Sequence, residues 1–206
     1  MQNQIPNHEM TSKSALNILK EGNKRFVENH MVEHDLLKEV RITATRQQPF
    51  ALVLNCFDSR VPAELIFDQG IGDIFNTRIG GNIINNDIIG CMEFACKFVG
   101  VKLILVLGHT SCKAIKGACD KMELGKLSEL IKKIEPAVEA VKTLEGVDRS
   151  SKNDEFVNRV AQKNVELTIE NIKTQSHILR EMIENDEIDL VGSMYDISTG
   201  EVKFGV

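Results

Sequence analysis

Two short apolar runs, each followed by a polar cluster, constrain the fold more than any other feature of the chain. Residues 50–54 and 102–108 have the length and the Val/Leu content of buried strands. Cys56 follows the first run, and His109 and Cys112 follow the second. If both runs are parallel strands of one α/β sheet, their carboxyl ends open into the same crevice, where such sheets bind ligands.

The donor atoms brought together at that crevice would suit a metal ion. Two thiols and an imidazole favour Zn²⁺, and three protein ligands leave a fourth position for water or a carboxylate. Taken alone, each residue is more often structural, since free cysteines are commonly buried. Cys56 and Cys112 differ because both stand where a strand stops, and the His109-x-x-Cys112 turn can aim both of its donors at one point. The sequence predicts one zinc per chain, held by these three residues.

Asp58 and Arg60 lie beside the predicted site, and three uses of the carboxylate remain open. Asp58 is the fourth metal ligand, or it accepts a hydrogen bond from water on the metal, or Arg60 holds it off the metal through a bidentate pair. Away from a metal, the same two residues would be a surface ion pair of little energetic value. Zinc with two thiolates and a neutral imidazole carries no formal charge, so binding Asp58 as well would make the site anionic.

The other cysteines and histidines lack such companions. Cys91 and Cys96 are five positions apart on a predicted helix and point away from each other, and Cys119 lies about 10 Å beyond Cys112 along another. All three are interpreted as packing residues. The remaining histidines occupy polar or surface-like contexts: His8, His30, His34 and His177.

Composition excludes several classes of function. The net charge is −5, without a cluster of Lys or Arg, which argues against nucleic acid or an anionic membrane as the main partner and favours a small substrate. The chain has no apolar run of membrane-spanning length, and residues 1–10 show no signal pattern, so a cytoplasmic location is expected. Five irregularly spaced cysteines fit a reducing compartment rather than a disulfide framework.

Alternating helical and strand patterns predict an α/β fold with a mostly parallel central β-sheet of about four strands. A C-terminal edge strand completes the sheet, helices flank it, and an N-terminal helical arm covers either its own domain or a partner subunit. The helix that ends at Gly100 is apolar nearly all round, which predicts that it is well buried. We expect a single domain over residues 1–206, divided into an arm (1–48), a zinc-site core (49–124), a helical region (125–186) and a terminal strand or hairpin (187–206).

The motif Cys56-x-Asp58-Ser59-Arg60, followed by His109-x-x-Cys112, resembles the β-class carbonic anhydrases. The combination is far more specific than any of its parts. It covers roughly residues 50–119 and the C-terminal strand, and it extends through Val61–Glu64, Gly72-Asp73, Arg78–Asn82 and Tyr195–Gly200.

The resemblance implies a function and an assembly. It implies zinc on Cys56, His109 and Cys112, with Asp58 and Arg60 as the catalytic dyad. The implied reaction is the reversible hydration of CO₂ to bicarbonate and a proton. Members of that family form homodimers or homotetramers in which an N-terminal helical arm embraces a partner.

Two positions depart from the family pattern. Lys113 stands where the family usually has Gly, and its side chain points to solvent, crowds the site, or adds charge beside the metal. Val53 stands where members with an inhibitory bicarbonate site have Trp, although Arg78 matches another part of that site. Hydrolysis of COS or CS₂ on the same zinc, and a catalytically silent zinc protein blocked by Asp58 or Lys113, are the alternative functions.

Overall fold

The structure is a computed structural model that describes residues 9–206 of the chain. Expectations for the polar lead before Glu9, including the interpretation of His8, lie outside the described residues. Within that range, one five-stranded sheet has the order β2-β1-β3-β4-β5, with β1 to β4 parallel and β5 antiparallel to β4. The predicted α/β architecture is therefore confirmed. The strands are β1 (Ala51–Asn55), β2 (Ile74–Arg78), β3 (Leu103–His109), β4 (Asp189–Tyr195) and β5 (Val202–Phe204).

Nine α-helices lie within residues 9–206, together with a 3₁₀ turn at Gly80–Asn82 and a π-helical turn at Phe94–Val99. The long apolar pattern after residue 153 divides at Ser176, whose side chain caps the second helix. The helices are α1 (Ser12–Val27), α2 (Leu36–Thr43), α3 (Ala63–Ile66), α4 (Asn86–Glu93), α5 (Lys113–Cys119), α6 (Leu127–Lys132), α7 (Glu135–Ala140), α8 (Asp154–Gln175) and α9 (His177–Glu184). None of these helices is both long and apolar enough to cross a membrane.

The side chains of β1 alternate between two apolar layers, as the period of a strand requires. Leu52 and Leu54 join the cluster that contains residues of α4, α8 and α9. Ala51 and Val53 join the cluster on the other face, which contains residues of α1 and α3. Both faces of the strand are covered, which explains why its sequence is a continuous apolar run rather than an alternating one.

The N-terminal arm covers its own domain in this chain. The Thr11 side chain caps α1 by accepting from the Ser14 amide. Ala15 and Leu19 are fully buried in the same cluster as Phe67. Of the two surfaces that the arm was expected to cover, its own domain or a partner subunit, it covers its own domain.

The helix before Gly100 is less buried than the sequence predicts. Ile88 and Met92 face the core, but Phe94 is 52% exposed and Phe98 82% exposed. Phe94 lies on the face of the helix opposite Ile88 and Met92, and its ring stacks on that of Phe98 at 5.8 Å between centroids. The prediction of an all-round buried helix is wrong for this face. Cys91 is exposed too, so its interpretation as a packing residue is also wrong.

Candidate metal centre

Parallel pairing sets the carboxyl ends of β1 and β3 side by side. Asn55, the last residue of β1, is in register with Leu107, so Cys56 emerges beside the end of β3. His109 is the last residue of β3, and Cys112 is the N-cap residue of α5. The Sγ atoms of Cys56 and Cys112 and a ring nitrogen of His109 all lie within 4.8 Å of one another, and all three residues are buried. The structure therefore brings together the three donors predicted from the sequence.

The backbone selects which nitrogen of His109 is available as a ligand. Its Nδ1 lies 2.9 Å from the carbonyl oxygen of Thr110, and only an N–H can donate to that oxygen. The neutral ring then carries its lone pair on Nε2, which is buried and has no hydrogen-bond partner among the described residues. An unpartnered acceptor in the interior costs free energy, and a metal ion would satisfy it.

The two thiols are spaced as ligands rather than as a disulfide. Their Sγ atoms are 3.8 Å apart. Two sulfurs bound at about 2.3 Å to a tetrahedral zinc ion lie about 3.8 Å apart, so the donor set fits that ion. Without metal, a hydrogen bond from the Cys112 thiol lowers the pKa of Cys56, and the same contact raises the pKa of Cys112. Cys56 is therefore the first of the pair to become a thiolate.

Cys56 also receives a hydrogen bond from the backbone. The Gly81 amide lies 3.4 Å from its Sγ atom. Gly81 has φ +69°, and a Cβ added there would lie 2.6 Å from Cδ1 of Ile134. The left-handed backbone favours glycine at this position, and a Cβ there would require the end of the Ile134 side chain to shift.

Asp58 is bound by Arg60 through both carboxylate oxygens. Arg60 Nε donates to Oδ1 over 2.9 Å, and Nη2 donates to Oδ2 over 2.8 Å. The Arg60 amide also donates to Oδ1, over 3.0 Å. These hydrogen bonds hold the pKa of Asp58 well below its usual range, so the carboxylate stays ionised at neutral pH. Of the three arrangements left open by the sequence, this structure contains the bidentate pair.

Comparison with known proteins agrees with this geometry. A family model described as carbonic anhydrase matches residues 51–202. Carbonic anhydrase 2 of Mycobacterium tuberculosis is 34% identical over 193 residues, which cover 91% of this chain and 89% of that protein. The chain belongs to the β-class carbonic anhydrases.

Further relatives agree in sequence and in fold. A carbonic anhydrase of Mycolicibacterium smegmatis is 32% identical, covering 92% of this chain and 91% of that protein. The structure of a tetrameric β-carbonic anhydrase of Sordaria macrospora superposes with a TM-score of 0.69 at 25% identity, covering 92% of this chain and 93% of that one. The recognition of the family and of the enzyme class from sequence is thus confirmed.

Arg78 holds the backbone on the Cys56 side of the three donors. Its Nε donates to the carbonyl oxygen of Cys56 over 3.2 Å, and its Nη2 donates to the carbonyl oxygen of Asp58. The guanidinium therefore bridges both ends of the segment that carries the first thiol and the carboxylate. Val53 is buried in the sheet, in the position where some members of the family have Trp.

Lys113, the departure from the family pattern beside Cys112, is exposed. The side chain therefore does not crowd the three donors.

The other cysteines lie apart from the three donors. Cys96 is buried in the core, where burial raises the pKa of its thiol to about 12, and Cys119 is half-buried.

His34 is not the surface-like residue that the sequence indicated. Its side chain is only 14% exposed, and its Nδ1 lies 2.9 Å from Oε1 of Glu39. Nε2 lies 3.6 Å from Oδ1 of Asp68. The surrounding sequence is rich in charge and polar residues, which concealed the burial.

Helix α8 supplies contacts to the site that sequence reasoning missed. Asn158 accepts a hydrogen bond from the Ser111 amide, which lies between His109 and Cys112 in the chain. Asn164 donates to the Gly81 carbonyl, and Thr168 donates to the Asn82 carbonyl. The available signal was the presence of polar residues on the otherwise apolar stripe of a long helix.

Proposed function

We propose that this chain catalyses the reversible hydration of CO₂ to bicarbonate and a proton at a zinc ion held by Cys56, His109 and Cys112. Asp58 and Arg60 control the fourth position of that ion. The observation that carries the proposal is the convergence of two sulfur donors and one uncommitted imidazole nitrogen at the carboxyl ends of β1 and β3. Bound zinc supplies a Lewis acid that lowers the pKa of a water molecule enough to make it a nucleophile near neutral pH.

Arg60 keeps the Asp58 carboxylate away from the ligand set. Both oxygens of Asp58 are engaged by the planar guanidinium, which matches a carboxylate bidentately. With both oxygens held by Arg60, Asp58 would not serve as a further ligand of a bound zinc ion, and a water molecule could take that place. Each carboxylate oxygen has more than one lone pair, so Asp58 can still accept a hydrogen bond from that water and orient it.

Asp58 orients the reacting water rather than removing its proton. The low pKa of this carboxyl makes it a weak base, because the arginine stabilises the charged form. A base of that strength retains a proton poorly at neutral pH. The proton therefore leaves the site to buffer, and Asp58 keeps its charge throughout.

The exposed side chain of Lys113 removes one reason to regard the site as silent. COS and CS₂ are linear relatives of CO₂, and turnover of either by the same protein decides how selective the site is. In solution we expect a homodimer or homotetramer in the cytoplasm. The tetramer named for the Sordaria macrospora enzyme supports the homo-oligomer.

Stopped-flow CO₂ hydration, on protein whose zinc content is measured in the same preparation, tests the proposed function. We expect turnover at mildly alkaline pH that falls as the pH is lowered. COS hydrolysis, assayed in parallel, should be much slower. One zinc per chain with no CO₂ turnover would contradict the proposal, and preferential COS turnover would replace its substrate.

A further inference from the structure

The turn that donates to the Cys56 sulfur is built from residues with unusual backbone conformations. Gly81 and Asn82 have φ of 69° and 42°, both in the left-handed region. A glycine in such a turn has more torsional freedom than any other residue, so its amide would not keep one direction unaided. The Asn82 amide closes the turn by donating to the Ile79 carbonyl over 3.0 Å, and contacts from outside the turn hold its two free carbonyl groups.

Helix α8 holds that turn by its two carbonyl groups. Nδ2 of Asn164 donates to the Gly81 carbonyl over 2.7 Å, and Oγ1 of Thr168 lies 3.4 Å from the Asn82 carbonyl. The two side chains are one helical turn apart, and the two carbonyls are on successive peptide units. Together they fix the peptide planes that follow the Gly81 amide.

Asn164 is costly to keep at this place unless it is used. It is 3% exposed, and its neighbours on the buried face of α8 include Val160, Ala161 and Val165. A buried amide without a hydrogen bond destabilises a protein, whereas an apolar residue there would simply extend the core. The hydrogen bond to Gly81 is what compensates its burial.

We propose that Asn164 is a positioning residue for the metal centre, acting through Gly81 on the sulfur of Cys56. By orienting the Gly81 carbonyl, it keeps the Gly81 amide directed at the thiolate. That hydrogen bond withdraws electron density from sulfur and fixes the direction of its lone pairs. This inference rests on the proposed metal centre and extends it to a residue 108 positions along the chain from Cys56.

Cobalt(II) added to the metal-free protein provides a readout other than activity. A thiolate bound to Co²⁺ gives a charge-transfer absorption, whose energy falls when a hydrogen bond to sulfur is lost. Asn164→Leu keeps the size of the side chain and removes its donor. We expect a shift of the band to longer wavelength and a loss of Co²⁺ affinity of about 10–100-fold, as for other outer-shell partners of metal ligands.

Asn171→Ala is the matched control. Asn171 lies two turns further along α8, is exposed, and lines the same cleft of about 620 Å³ as Asn164. It should leave both the band and the affinity unchanged. If Asn164→Leu does not fold, Thr168→Val, which removes one hydroxyl from the same turn, must give a smaller shift in the same direction.

Two results separate failure of this inference from failure of the metal centre. A variant at Asn164 that lowers thermal stability but keeps the wild-type band and affinity would show a merely structural role and overturn the inference alone. Wild-type protein without a thiolate-to-cobalt band would overturn the metal centre, and the role of Asn164 with it.

Discussion

Two histidine clusters in this protein differ in how their acidic groups are engaged by the rest of the chain. At the carboxyl end of the sheet, His109 lies with Cys56 and Cys112. Between the N-terminal arm and the loop after α3, His34 lies with Glu39 and Asp68. Each cluster joins one imidazole to two acidic groups, so residue types alone do not separate a site from a structural network.

In the arm cluster, formed by His34, Glu39 and Asp68, both carboxylates accept hydrogen bonds from other groups of the protein. Arg25 donates to Asp68 over 2.5 Å, and the Val32 amide lies 3.2 Å from the same carboxylate. The Ile71 amide donates to Glu39 over 2.9 Å. Burial raises the pKa of Glu39, but the hydrogen bonds from His34 and Ile71 outweigh it and lower the pKa overall. The charges of this cluster are compensated within the protein.

The sulfurs of the sheet-end cluster contact each other and backbone amides rather than an arginine. Among the described residues, Nε2 of His109 has no hydrogen-bond partner, and the same is true of Nε2 of His34, so the difference between the clusters lies in their acidic groups. The nearby cation, Arg60, is committed to Asp58 instead. Two closely spaced thiols beside an imidazole indicate a metal site, whereas carboxylates already engaged by an arginine and backbone amides indicate a fastening between the arm and the core.

The largest expected effect is on the metal ligands. Cys112→Ala should lose zinc, with an affinity more than about 1000-fold weaker, because two remaining ligands hold the ion poorly and even outer-shell changes cost 10–100-fold. Zinc content after dialysis against a chelator measures this. Cys119→Ala, at the last residue of the helix that Cys112 precedes, is the control and should keep its zinc. Full zinc occupancy in Cys112→Ala would remove that residue from the ligand set.

The second effect is on turnover without loss of metal. Asp58→Ala should keep one zinc per chain and lose CO₂ hydration by about 100–1000-fold, the range for removing one oriented hydrogen-bonding group from an active site. Stopped-flow rates on zinc-matched samples check this. Asp148→Ala, at an exposed carboxylate in the linker before α8, should keep its turnover. Equal rates for Asp58→Ala and wild type would show that the dyad assignment is wrong.

The third effect is a loss of stability from a substitution in the arm cluster, with no change in zinc content. Asp68→Asn removes the charge that Arg25 pairs with while keeping the shape of the side chain. Because Asp68 is buried and Arg25 is partly exposed, we expect a loss of about 2–3 kcal/mol in the free energy of unfolding, measured by urea titration. Zinc content should stay at one per chain.

An exposed ion pair calibrates that loss. The side chains of Glu129 and Lys126 form an ion pair and are 69% and 92% exposed. Glu129→Gln breaks this pair and should change the free energy of unfolding by less than about 1 kcal/mol. Loss of zinc from Asp68→Asn would mean that the two clusters are not independent, contrary to their separation in the structure.

The smallest effect is expected at the departure from the family pattern. Lys113→Gly restores the usual residue, and since the lysine is exposed, turnover should change by less than about threefold. Rates at low and high salt would expose a contribution from its charge. A gain of tenfold or more would show that the lysine acts on the centre despite its exposure.

The sequence predicted the sheet and the donors because both depend on local signals. The apolar runs that became β1 and β3 are continuous since both of their faces are covered, and the donors follow them immediately. Parallel pairing then makes proximity at the strand ends a geometric consequence. The site was therefore predictable from short segments and one rule of topology.

The residues that sequence reasoning missed depend on how distant elements dock. Asn164 meets Gly81 across 83 positions of the chain, and no local pattern encodes that contact. His34 lies in a charged stretch, and it contacts Asp68, 34 positions further along the chain, which no local pattern reveals. Phe94 was wrongly predicted to be buried, because the number of apolar residues in a helix does not show which of its faces meets the core.

Zinc K-edge X-ray absorption on the zinc-loaded protein tests the difference between the two clusters most directly. The spectrum should contain two sulfur scatterers at about 2.3 Å and two nitrogen or oxygen scatterers at about 2.0–2.2 Å. That result would place the ion on Cys56, His109 and Cys112 with one further light ligand. A shell of nitrogen and oxygen alone, as His34 and its carboxylates would provide, would contradict the assignment of the metal to the sheet end.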